Sequence, residues 1–178
     1  ADLVAVGTIG DVMPVTGENR LFIRHGLAML ENGERCGFSS LLQKSSAVGR
    51  RLTATTVAFT LVPRINAAGR MGSAARAVSL LVSEDPDEAE SLAEDICFAN
   101  TERRTTESKI MEQVEAQLAA HPEFLLGRVL VVDGEDWFHG VTGIVASRLV
   151  ERYGRPCIVI SRSGDQAKGS GRSVEGFS

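Results

Sequence analysis

Apolar residues recur at helical spacing over the first two thirds of the chain, then give way to short β-branched runs. The longest helical pattern covers Pro86 to Ala120. Asp85 can cap its start, Pro86 suits the first turn, and Glu88 can reach back as in a capping box. Ala89, Leu92, Ala93 and Ile96 mark one apolar stretch; Ile110, Met111, Val114 and Leu118 mark another. No Gly or Pro intervenes before Pro122, so an unbroken helix is about 50 Å long. Between the two stretches, Asn100 to Lys109 is without an apolar residue. A helix apolar at both ends and polar at its waist suits a rod bridging two globular parts. A surface helix with one solvated face has the same pattern.

Upstream, Leu3 to Val6 reads as a buried strand running into Gly7-Thr8-Ile9-Gly10-Asp11. Asn19 to Leu30 reads as a helix stopped by Asn32-Gly33, and Phe38 to Leu42 as a short helical piece. Thr53 caps a helix running to about Val62, where Pro63 ends it; a loop covers Arg64 to Gly72, and Ser73 opens a helix from Ala74 to Val82. Downstream, Arg128 to Val132 is a predicted strand, Val141 to Tyr153 a helix ended by Gly154, and Pro156 to Ser161 a second strand. Gln166 to Ser173 completes a hairpin around Ser163-Gly164-Asp165. The strand-helix-strand order predicts a parallel pair and the hairpin an antiparallel one. The predicted class is α/β: a mostly helical first part, a connecting rod, and the opening of a mixed-sheet α/β domain.

Composition narrows the function classes. The 178 residues allow one domain or two small ones, and a 43% apolar fraction is ample for a core. A net charge of −4 does not announce a nucleic acid or a membrane surface, so an anionic ligand needs a local basic site. Cys36, Cys97 and Cys157 are far apart, without metal or redox spacing, as expected of buried thiols in a reducing compartment. No leader pattern or long apolar run occurs, and the expectation is a soluble, cytoplasmic protein with no membrane contact. The chain begins inside an apolar run and stops after a glycine-rich motif, as a piece of something longer would.

Five stretches carry chemistry-bearing residues. Asp11 places a carboxylate just past the predicted first strand, where an α/β sheet holds ligands and a divalent metal would suit it; a turn-forming Asp after Gly reads the same way. Arg64, Asn66 and Arg70 flank a flexible glycine before a helix, and arginine forks match phosphate oxygens, although solvated arginines beside a turn fit too. Lys168-Gly169-Ser170-Gly171-Arg172-Ser173 is the strongest local signal: small residues let backbone N–H groups approach an anion, two hydroxyls donate, and two cations add charge. The lysine precedes the glycines, so this is no Walker loop, and a glycine-rich hairpin strand is the plain alternative. Trp137 and His139 stand at the start of a helix, where Trp137 could stack on a base and His139 could contact a phosphate or base; both residue types also pack. Arg103 and Arg104 sit at the rod's waist beside Glu102 and Glu107, where solvated pairing is the default.

In this order the stretches Gly7 to Val12, Pro63 to Gly72, Asn100 to Arg104, Gly140 to Leu149 and Lys168 to Gly176 resemble the DHH phosphoesterase family, and within it the bacterial single-strand-specific DNA exonucleases. The resemblance spans nearly the whole chain. It implies the C-terminal portion of a DHH catalytic domain over residues 1–84, a connecting helix over 85–121, and the N-terminal portion of a DHHA1 domain over 122–178. It also implies a pair of Mn²⁺ or Mg²⁺ ions in the parent, with Asp11 the last of the metal-binding, catalytic carboxylates. Single-stranded DNA with a 5′ end would lie in a cleft between the domains. Arg64, Asn66 or Arg70, with Ser170, Gly171 and Arg172, would face its backbone or terminal phosphate. The implied reaction is two-metal hydrolysis of a phosphodiester. No Asp-His-His triplet occurs, and His25, His121 and His139 are the only histidines, so the expectation is that these residues alone neither bind the metal pair nor cut DNA. A family relative acting on short oligonucleotides or cyclic dinucleotides, or a non-catalytic phosphate-binding module, are the competing readings.

Overall fold

The computed structural model describes residues 1–45 and 51–177. They form two compact units, Ala1–Thr101 and Glu102–Ser178. The first is helical: α1 (Asp2–Gly10), α2 (Gly17–Asn32), α3 (Cys36–Gln43), α4 (Ala54–Thr56), a π-helical turn (Val57–Leu61), α5 (Val62–Met71) and α6 (Ala74–Val82). The long helix α7 (Pro86–Ala120) contains the division between the units. The second unit continues with a short 3-10 turn (Pro122–Leu126), β1 (Leu130–Glu135), α8 (His139–Tyr153), β2 (Cys157–Ser163) and β3 (Gln166–Arg172).

Two expectations in the first unit are overturned. The predicted strand at Leu3 to Val6 is the helix α1. Its buried positions, Asp2, Ala5 and Val6, have i, i+3, i+4 spacing, which is helical rather than alternating. Small residues allow close packing on α2: a Cβ on Gly26 would lie 2.3 Å from the Ala5 Cβ. The predicted loop from Arg64 to Gly72 is also helical, because Pro63 does not end the preceding segment. The π turn widens the backbone just before the proline, and the Val62 N–H donates to the Val57 carbonyl, five residues back. A widened turn makes room for the pyrrolidine ring, which lacks an N–H and would crowd an ordinary helical turn.

Other elements follow the pattern. Thr53 and Ser73 accept from the N–H groups of Thr56 and Ala75. At the start of α7, Asp85 Oδ1 accepts from the N–H groups of Asp87 and Glu88. Glu88 does not reach back to the Asp85 N–H as a capping box would. Ser83 Oγ stands between them, accepting from the Asp85 N–H at 3.3 Å and donating to Glu88 Oε2 at 2.5 Å. The first core gathers Phe38, Leu41, Leu61, Leu80, Ala93 and Ile96.

In the second unit β1 and β2 pair in parallel, with Leu130 opposite Cys157, and β2 and β3 pair antiparallel, with Ile160 opposite Gly169. The helix α8 packs on β2 and β3. The expected mixed sheet is therefore present. Cys157 is buried, and burial pushes its thiol above the usual range. No described helix is long and apolar enough to cross a membrane.

The polar waist of α7 is not simply solvated. The buried row Ala89, Ala93, Ile96 continues through Asn100 and Glu107 into Ile110, Val114 and Leu118 at steps of three, four or seven. Glu107 is only 2% exposed. Its Oε2 accepts from Arg103 Nη1 at 3.0 Å, one turn back, and its Oε1 pairs with Arg148 of α8. Gln113 accepts from the Trp137 indole at 2.6 Å, and Glu115 pairs with Arg152. Three polar ties thus fasten α8 and its approach to α7.

In the first unit, Asp2 is buried beside Arg35, whose Nε donates to Oδ2 at 2.6 Å while its Nη1 holds the Leu81 carbonyl at 2.8 Å. Burial opposes ionisation of Asp2, but the Arg35 hydrogen bond and the Leu3 N–H outweigh it, and the carboxyl is held below its ordinary range. The resulting stability is present above the unfolded carboxylate range and lost as pH falls through the lower folded value. Asp2→Asn is expected to cost about 1.5–3 kcal/mol near neutral pH and to flatten the acid limb of a thermal unfolding profile measured against pH. Glu107→Ala removes a buried carboxylate together with its contacts to Arg103 and Arg148 and is expected to cost about 3 kcal/mol in the second unit. Urea unfolding followed by fluorescence of Trp137, the single tryptophan, reads that unit directly.

Candidate nucleic-acid interface

Each unit carries one group of the candidate residues. In the first, Asp11 follows the last turn of α1 and is exposed, its N–H donating to the Gly7 carbonyl at 2.9 Å. The α1 carbonyl end beside it adds negative character, which suits a cation. Asp11 and Asn66 line one pocket of about 320 Å³, walled by Val6, Phe38 and Val62. Arg64 and Arg70 do not line it. Arg64 is partly spent on the fold, its Nη1 donating to the Thr60 carbonyl at 2.6 Å within the π turn. Arg70 is exposed in the last turn of α5, one turn beyond Asn66 on the same face. Among the described residues no three His, Cys, Asp or Glu side chains cluster as a metal site, so Asp11 alone does not fit a metal pair.

The second unit brings its candidates closer together. Alternation along β3 puts Gln166, Lys168, Ser170 and Arg172 on one face, and Gly169 and Gly171 on the other. Ser170 Oγ lies 2.9 Å from Thr142 Oγ1 in the first turn of α8, and Thr142 Oγ1 donates to the His139 carbonyl at 3.0 Å. The Arg172 guanidinium lies over Gly143: a Cβ there would come within 3.2 Å of Nη2 and 3.8 Å of Ser170 Oγ. No side chain caps the α8 start, so its first N–H groups add positive character to the same corner. Among the described residues neither Lys168 nor Arg172 is paired with a carboxylate. The Thr142 and Ser170 hydroxyls are spent on the His139 carbonyl and on each other, so they hold β3 against α8, while the uncapped N–H groups and the Arg172 guanidinium make an anion cradle.

Not every predicted residue joins this cradle. His139 and Lys168 line an adjoining pocket of about 340 Å³. Gly171 faces away, and Ser173 lies beyond the strand with its hydroxyl turned to the Val174 carbonyl. Trp137 is 6% exposed with its indole N–H bonded, so it cannot stack on a ligand. Thr142 and Gly143 lie in the helix-entry stretch that the sequence marks, but nothing local assigns them a role; Thr142 is fully buried.

The chain aligns with the single-stranded-DNA-specific exonuclease RecJ of Bacillus subtilis at 43% identity over 178 residues. With the same exonuclease of Escherichia coli the identity is 37% over 183 residues. The crystal structure of RecJ in complex with Mn²⁺ from Thermus thermophilus superposes with a TM-score of 0.85 at 38% identity, covering 99% of this chain and 26% of that one. The chain is a relative of RecJ. The alignments take in 99% of this chain but only 22% of the Bacillus RecJ and 31% of the Escherichia RecJ. Further RecJ structures similar in fold were solved with Mg²⁺ or manganese. No protein-family model matches the RecJ-like chain.

The cradle geometry leads to a specific expectation. Gly143→Val fills the space under Arg172 without removing a charge. It is expected to displace the guanidinium and weaken sulfate or phosphate binding severalfold, with the fold retained by circular dichroism. Anion titration followed by NMR chemical shifts of Thr142 and Ser170 checks this.

Proposed function

We propose that this chain works as part of a single-strand-specific DNA exonuclease and that its second unit holds the 5′-terminal phosphate of the substrate. The anion cradle carries this reading. Arg172 and Ser170 of β3 converge with Thr142, Gly143 and the uncapped start of α8, and among the described residues neither Lys168 nor Arg172 is paired with a carboxylate. The similarity to RecJ supplies the substrate class, because those relatives are named for single-stranded DNA.

A terminal phosphate carries more charge than an internal phosphodiester, so a convergent fork and N–H groups prefer a chain end. Lys168, two residues from Ser170 on the same face, extends the positive row along the strand's path. Asn66 and Arg70, exposed on one face of α5, offer backbone contacts in the first unit, while Arg64 lies on another face with its Nη1 donating to the Thr60 carbonyl. Asp11 would contribute one carboxylate to a metal pair of the kind bound in the related structures, within an enzyme that hydrolyses phosphodiesters 5′ to 3′ in DNA repair or recombination. The described residues offer too few ligands for such a pair, and no chemical step is assigned to them.

The test is binding of a 5′-phosphorylated single strand, measured by fluorescence anisotropy across a salt series. Arg172→Ala is expected to weaken binding by about tenfold to a hundredfold and to lower the salt slope by about one. Removing the 5′-phosphate from the strand should reproduce most of that loss in the unaltered chain. Equal affinity for phosphorylated and unphosphorylated strands would overturn the terminal-phosphate reading.

A further inference from the structure

The connection between β1 and α8 presents an aromatic ring at the surface. Residues 136–138 are fastened from β2. Ser161 Oγ donates to the Trp137 carbonyl at 2.7 Å, and Ser163 Oγ donates to Asp136 Oδ1 at 2.7 Å. The Asp136 N–H donates to the Arg162 carbonyl at 2.8 Å. Asp136 sits at φ 52°, a left-handed conformation that a non-glycine residue holds only where its surroundings fix it. Trp137 anchors this connection from within, its ring filling the space left open at Gly134. Phe138, the next residue, is 42% exposed. A firmly held connection therefore ends in an exposed ring.

That ring opens onto the pocket of about 340 Å³ described above, with His139 beside it and Gln166 and Lys168 on the β3 side. The volume suits a single planar heterocycle with its solvent. Lys168 is about 6.6 Å along β3 from Ser170, so the pocket adjoins the anion cradle at the reach of a base from its own phosphate.

We propose that this pocket is a nucleobase subsite, in which the base of the 5′-terminal nucleotide stacks on Phe138 while its phosphate occupies the cradle at Ser170 and Arg172. The proposal rests on the phosphate reading above. Stacking uses the π face common to all bases, so the subsite takes each terminal nucleotide in turn without choosing a sequence. Lys168 and Gln166 stand at the rim, where they meet base edges or the next phosphate. The ring is already held in place, so covering it with a base orders little that was free.

The experiment uses a 5′-phosphorylated single strand whose first base is 2-aminopurine, a fluorescent base quenched on stacking. The unaltered chain should bind it with quenching. Phe138→Ala should bind about tenfold more weakly and without quenching, while Phe138→Tyr should keep both. A probe with an abasic first nucleotide should bind the unaltered chain and Phe138→Ala alike. Trp137 fluorescence reports that each variant is folded. Unchanged affinity and quenching in Phe138→Ala, with Arg172→Ala still weakening the probe, overturns the base subsite and leaves the phosphate reading standing. Failure of the unaltered chain to bind the probe overturns both.

Discussion

A carboxylate buried in the middle of a 35-residue helix governs the second unit. Glu107 occupies a position that the stripe of α7 would otherwise give to an aliphatic side chain, and it is held by Arg103 from its own helix and Arg148 from α8. Taking such a charge out of water is costly, and the two guanidinium groups are what make it tolerable. An aliphatic residue at this point would pack in several rotations of α8; an ion pair admits few. The Trp137–Gln113 bond and the Arg152–Glu115 pair act in the same sense at either end of α8. The start of α8, where Thr142 and Gly143 meet β3, is therefore indexed to α7 by polar geometry rather than by shape alone.

Much of the fold was legible in the residue pattern because local and tertiary preferences agree. The bounds Pro86 to Ala120 follow from a capping Asp85 and the absence of helix breakers, and the hairpin follows from Ser163-Gly164-Asp165 between β-rich runs. The failures have physical causes. At Leu3 to Val6 the β-branched residues favour a strand, but close packing of small residues on α2 makes the segment a helix. At Pro63 the local rule for proline is overridden by a π turn, whose hydrogen-bond pattern no composition signal announces. At the waist of α7, polarity was read as exposure. The step from Ile96 to Asn100 and from Glu107 to Ile110 continues the buried row, and spacing was the better guide.

The candidate site was legible only where it lies on one short segment. Ser170 and Arg172 stand in a glycine-spaced motif whose alternation places both on one face of β3. Their partners Thr142 and Gly143 come from a helix almost thirty residues earlier, and nothing local links a threonine hydroxyl to a serine that far along the chain. Phe138 was hidden beside Trp137. The larger aromatic drew the stacking role, yet burial and the Gln113 bond commit it to the core and leave its neighbour exposed.

The widened turn before Pro63 also sets the azimuth of everything after it. A π turn accommodates one residue more than an α turn, and one residue of helix is a rotation of about 100°. Asn66, which shares a pocket with Asp11, owes its facing to that phase shift. Shortening the segment by one residue would restore a continuous helical screw and swing the side chains of α5 about a quarter turn around its axis. The irregularity at Val57 to Leu61 is in this sense a phase adjuster, aligning one helix face with a carboxylate carried by another helix.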